Sequence, residues 1–144
     1  MTYLGGIHHE TEEPKLAQAC LERALKIQET HYGPNHISLG QTLNYLGDTY
    51  GTLGVYNVAQ EYLKRSLEIQ EYSYGVNHLA TANVLLSLTK NYLLRNELKP
   101  AQLNAQRCYA IFKHQLGQNH AKTTEILTLL NDIQKNSMLA EEGP

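Results

Sequence analysis

Three histidines, His36, His78 and His120, recur at an interval of 42 residues, each closing a Gly-x-Asn-His loop in "YGPNH", "YGVNH" and "LGQNH". Neutral imidazole is a common metal ligand, so a recurring histidine first suggests a metal site. Zinc needs nitrogens at about 2 Å, whereas residues one helical layer apart have backbones about 10 Å apart. The three rings therefore cannot share one ion, and the pattern fits helix capping instead. "HHETEE" (His8–Glu13) is the most metal-like string, because His9 and Glu12 or Glu13 share one helical face. It supplies two ligands and no third nearby, and reads as an acidic helix end before Pro14. Arg23, Arg65 and Arg107 form a second series at the same interval, beside Gln18, Gln60 and Gln102. An arginine row could clamp an acidic partner; the simpler expectation is that each pairs with a carboxylate or helix-end carbonyl of a neighbouring repeat. Cys20 and Cys108 follow no metal spacing and read as free, mostly buried thiols of a reducing compartment. Cys108 falls in a column of small core residues. No Gly-x-Ser-x-Gly, phosphate loop or nucleophile–base arrangement is present, so neither an enzyme nor a cofactor is expected.

With 144 residues and a net charge of −2, the chain fits one soluble domain and lacks the basic face that a phosphate backbone requires. No apolar run approaches the ~18 residues of a membrane span, and the first residues lack a basic-then-apolar signal layout. A cytoplasmic protein with no nucleic-acid or membrane partner is expected.

The elements that position these residues follow from the 42-residue period. "AQACLERALKIQE" (Ala17–Glu29) lies in register with "AQEYLKRSLEIQE" (Ala59–Glu71) and "AQLNAQRCYAIFK" (Ala101–Lys113). Self-similarity of this length marks stacked helical repeats. In the middle copy, Leu39, Leu43, Leu46 and Tyr50 make one helical stripe, and Ala59, Leu63, Ser66 and Ile69 belong to a second. "GTLG" (Gly51–Gly54) separates the two helices, and the Gly-x-Asn-His loop joins one pair to the next. Ala59 and Ala101, and the column Ala24, Ser66 and Cys108, are small where paired helices must approach closely.

Leu43-x-x-Leu46-Gly47-x-x-Tyr50, followed by Ala59-x-x-x-Leu63 and Ser66, resembles the tetratricopeptide repeat. The longer period and the segments "ALKIQETHYGPNH" and "RSLEIQEYSYGVNH" are similar to the kinesin-light-chain-like variant. The resemblance implies an all-α, right-handed superhelical solenoid of about three repeats plus a terminal helix. Seven helices are expected, near 2–11, 14–31, 36–52, 56–73, 78–94, 98–115 and 120–136. The domain would span 1–136, with repeats at 1–35, 36–77 and 78–119, a capping helix at 120–136, and a flexible tail at 137–144. Met1-x-x-Leu4-Gly5-x-x-His8 matches only the end of a first helix, suggesting a fragment of a larger protein or one that caps its ends by self-association.

In this family the concave groove is lined by first helices. The resemblance places Gln41, Asn44, Asp48 and Thr52 there, continuing as Asn83, Leu86, Lys90 and Leu94. Asn44 matches an asparagine that, in similar repeats, hydrogen-bonds an extended peptide. The implied function is a non-catalytic protein-interaction module that takes a partner's peptide or helix. The alternatives are a homodimer through incomplete terminal repeats and, more remotely, a metal protein through "HHETEE".

Overall fold

The computed structural model describes the backbone of residues 6–142 and the side chains of residues 13–136. Among these the chain is helical, with no strand: α1 (Gly6–Tyr32), α2 (Leu39–Thr52), α3 (Tyr56–Tyr74), α4 (Leu79–Leu94), α5 (Leu98–Leu116) and α6 (Ala121–Glu142). The all-α repeat architecture is as expected. There are six helices rather than seven, because α1 runs unbroken through Pro14. Proline removes one N–H and usually marks a helix end, hence the expected break between 11 and 14. The Glu, Lys, Leu, Ala and Gln residues around it are strong helix formers, and they carry the helix across. The expected start at residue 2 lies outside the described residues. At the other end, α6 continues to Glu142, into the segment expected to form a tail. Packing divides the chain into two compact units after Ile69, within α3.

In the first unit, Leu39, Leu43 and Leu46 of α2 form a buried cluster with Leu25 of α1 and Ile69 of α3. Burying each leucine contributes about 1.5–3 kcal/mol. Against α3, α2 comes very close. A Cβ on Gly47 would lie 2.4 Å from Leu63 Cγ, nearer than real atoms approach. Ser66 Oγ donates to the Gly40 carbonyl at 2.6 Å, tying the helices together at a second point. The joint between α1 and α2 is local chemistry. Gly33 takes φ +93°, the left-handed region that closes a helix. His36 stacks on Tyr32 at 4.4 Å, and its Nδ1 accepts the Ser38 N–H at 3.1 Å.

The second unit repeats these devices. His78 stacks on Tyr74 at 4.5 Å and caps α4, its Nδ1 accepting the Ala80 N–H at 3.0 Å. His120 accepts the Lys122 N–H at 3.1 Å. His78 and His120 thus satisfy helix-start amides, and His36 bonds the amide of Ser38, the residue before α2. Cys108 Sγ reaches the Ala82 carbonyl at 3.3 Å, the counterpart of Ser66 and Gly40 one period earlier. At the positions of Gly47 and Leu63 stand Thr89 and Ala105, both fully buried. The large and small partners have exchanged helices. Phe112, Leu85, Leu88, Ile126 and Ile133 complete the core of α4, α5 and α6.

If α1 is one helix, Pro14→Ala restores a backbone hydrogen bond and should raise stability by about 1–3 kcal/mol. Urea unfolding measures it; an unchanged or lowered midpoint would instead place a helix start at Pro14.

Candidate functional site

The arginine series is structural. Arg65 of α3 pairs with Glu29 of α1 and also donates to the Pro34 carbonyl at 2.9 Å. Arg107 of α5 pairs with Glu71 of α3 at 2.7 Å. Each bond joins a second helix to the preceding second helix over the same separation of 36 residues. The side chains are about a third exposed, so each pair contributes about 0–1 kcal/mol and mainly fixes register. Arg23, in the first copy, is exposed.

The residues expected to line a groove fall on two helices, one in each unit. On α2, Gln41, Asn44, Asp48 and Thr52 share a stripe. Gln41, Asp48 and Thr52 are exposed and Asn44 is half-buried. Gln41 Nε2 donates to the Tyr45 hydroxyl at 2.7 Å, and Thr52 Oγ1 donates to the Asp48 carbonyl at 3.0 Å. Asn44 Oδ1 is shielded from solvent and accepts no hydrogen bond among the described residues. Such an atom costs about 1–3 kcal/mol until a donor reaches it.

On α4, Lys90 and Leu94 are exposed and Asn83 is half-buried. Leu86 is buried, at 9% exposure. The stretch from Val84 to Thr89 is buried throughout, so most of the circumference of α4 is covered, leaving little open surface beyond Lys90 and Leu94. Across from α4, α6 supplies partners to this row. Lys90 Nζ pairs with Glu125 at 2.8 Å, and Asn83 Oδ1 accepts from Lys122 Nζ at 2.8 Å. The first helices of this unit are thus laced by two polar pairs, with Leu94 standing open at 57% exposure. Lys122 was not foreseen from sequence, because its column reads Ser38, Ala80 and Lys122 and carries no repeated type.

Among the described residues, no group of three or more His, Cys, Asp or Glu side chains could hold a metal ion. The side chains of His8, His9 and Glu12 lie outside them. No described helix is long and apolar enough to cross a membrane.

Paired helices at a fixed period, locked by a small residue opposite a large one, define a helical-hairpin repeat protein. The chain belongs to the tetratricopeptide repeat family, whose model matches residues 1–72 and 52–114. No curated protein matches the chain. Tetratricopeptide repeats generally serve as non-catalytic modules for protein–protein interaction.

The two thiols differ sharply. Cys20 is exposed, while burial pushes the Cys108 thiol up from 9.0 to about 12. One equivalent of maleimide at pH 8 should modify Cys20 and leave Cys108 untouched until the protein unfolds, as peptide mass mapping would reveal. An unfolded thiol titrates near 9.0, so the contribution of buried Cys108 to stability is complete below that pH and is lost as pH rises toward 12.

Proposed function

We propose that the chain is a protein-interaction module that takes an extended or helical segment of a partner on its first-helix faces. The observation that carries this reading is the α4–α6 face: the Lys90–Glu125 ion pair lies one turn from the open Leu94, and the Lys122–Asn83 bond lies two turns further along the same row. Polar groups around an apolar anchor suit peptide recognition. On α2, the unsatisfied Asn44 Oδ1 supports the same use, since a partner's backbone N–H reaching it would relieve its burial cost. The 42-residue period and the Leu43-Asn44 pair favour the kinesin-light-chain-like form of the repeat and a role as a cytoplasmic scaffold. Affinity would come from many weak contacts, in the micromolar range.

A second reading, self-association through the chain ends, is favoured by exposed Ile27 on α1. It is the weaker one, because α6 carries polar Asn131 and Gln134 at the positions of Gly47 and Tyr50.

Two baits test the first reading: wild type, and a variant with Asn83→Ala and Leu94→Asp, both at partly or fully exposed sites. A partner held by wild type should be weakened at least about tenfold by the variant and should cross-link to Lys90 or Lys122. Equal retention by both baits would remove the α4–α6 face from the interaction.

A further inference from the structure

The joints between helix pairs hold each recurring histidine in one protonation state. Nδ1 of His36 accepts the Ser38 N–H at 3.1 Å, that of His78 the Ala80 N–H at 3.0 Å, and that of His120 the Lys122 N–H at 3.1 Å. A backbone amide only donates, so each Nδ1 must keep its lone pair and the ring proton sits on Nε2. A protonated imidazole is a donor at both nitrogens and cannot accept. It would also set a positive charge at a helix start, where the peptide dipoles are already positive. Acid therefore removes a bond and adds a repulsion at the same atom. All three residues are exposed, so a proton reaches them freely.

The three differ in what would hold a charged ring in place. His36 and His78 stack on Tyr32 and Tyr74 at 4.4 and 4.5 Å, and an aromatic face attracts a cation. At His36 the Ser38 hydroxyl, 2.9 Å from Nδ1, can also turn to accept a proton there. His120 has Leu116 in place of the tyrosine and Lys122 in place of the serine. Two cations reach the joints through hydrogen bonds. Arg65 of α3 donates to the Pro34 carbonyl while pairing with Glu29, and Lys122 follows His120 with its ammonium on Asn83. At the second joint the neutral Gln115 amide reaches the Asn77 carbonyl at 3.4 Å. His31, edge-on to Tyr32, is a further titratable group at the first.

We propose that the Gly-x-Asn-His joints form an acid-sensitive latch on the helix starts, opened by protonation of the three imidazoles, with His120 at α6 the first to give way. The start of α6 carries Lys122 and Glu125, which bond Asn83 and Lys90 of α4, so opening there loosens both pairs. The latch does not depend on what the α4–α6 face binds. An unfolded imidazole takes up its proton near about pH 6.5, so the stability contributed by the neutral rings is complete above that pH and is lost as pH falls below it. His31 and His114 stand in the last turns of α1 and α5, where the dipole favours a cation, and they carry the opposite sign.

Asparagine also caps helix starts but does not titrate. The reference is therefore the triple variant His36→Asn, His78→Asn and His120→Asn, in which every other histidine is unchanged. Urea unfolding of both proteins at about pH 7.5 and about pH 5.5 measures the latch. Relative to the variant, the unfolding constant of wild type should rise about tenfold or more on acidification. His120→Asn alone should remove the largest share of that rise. Nitrogen NMR of the wild-type rings reads the same atoms without any substitution, and should find Nδ1 of all three unprotonated at neutral pH. Parallel pH profiles of wild type and triple variant would overturn the proposal, as would a ring proton on Nδ1. A larger share at His36 or His78 would overturn the order assigned to His120.

Discussion

The closest constraint in this fold is the approach of the two helices within each repeat. At Gly47 the separation leaves no room for a single carbon atom beside Leu63. One turn from that contact, Ser66 uses the same proximity to bond a backbone carbonyl of the opposite helix. The second pair meets the constraint differently, with Thr89 on the first helix and Ala105 on the second, and Cys108 in the role of Ser66. Interiors are packed to crystal-like density, so the pair conserves total volume while the bulk changes sides. The leucine cluster of the first unit and the phenylalanine-centred core of the second are built around these contacts.

Much of this was readable from spacing. The period aligns small residues with small residues, and these columns became the buried contact faces. The recurring histidines carry acceptors where helices begin, and all three bond backbone amides. The arginines pair between successive repeats because Glu29 and Glu71 recur at the same interval. What escaped notice was set by surroundings instead of period. Pro14 looks like a helix boundary, yet its strong helix-forming neighbours carry α1 through it. Leu86 occupies a position that is the half-buried Asn44 one repeat earlier, but α4 is covered on most of its circumference, and Leu86 is buried with it. The Lys122–Asn83 bond joins two residues whose columns have no repeated identity, so no self-comparison could expose it.

The same columns that build the core also distinguish surfaces. At the positions of Gly40, Gly47 and Tyr50, α6 carries exposed Thr124, Asn131 and Gln134. Where the contact positions recur on α1 they remain apolar and partly exposed. The first-helix row of the second unit differs from both, with one ion pair, one lysine–amide bond and one open leucine along it.

Reciprocal bulk at the helix contact is the claim on which the fold account rests, and a double-mutant cycle at positions 47 and 63 measures it directly. Gly47→Thr and Leu63→Ala should each destabilise the protein, by about 1–3 and 2–5 kcal/mol respectively. Together they reproduce the Thr89/Ala105 arrangement. The double variant should therefore be more stable than the sum of the single losses, with a coupling energy above about 1 kcal/mol. Strictly additive losses would mean that the two side chains do not share one space, and would contradict the account.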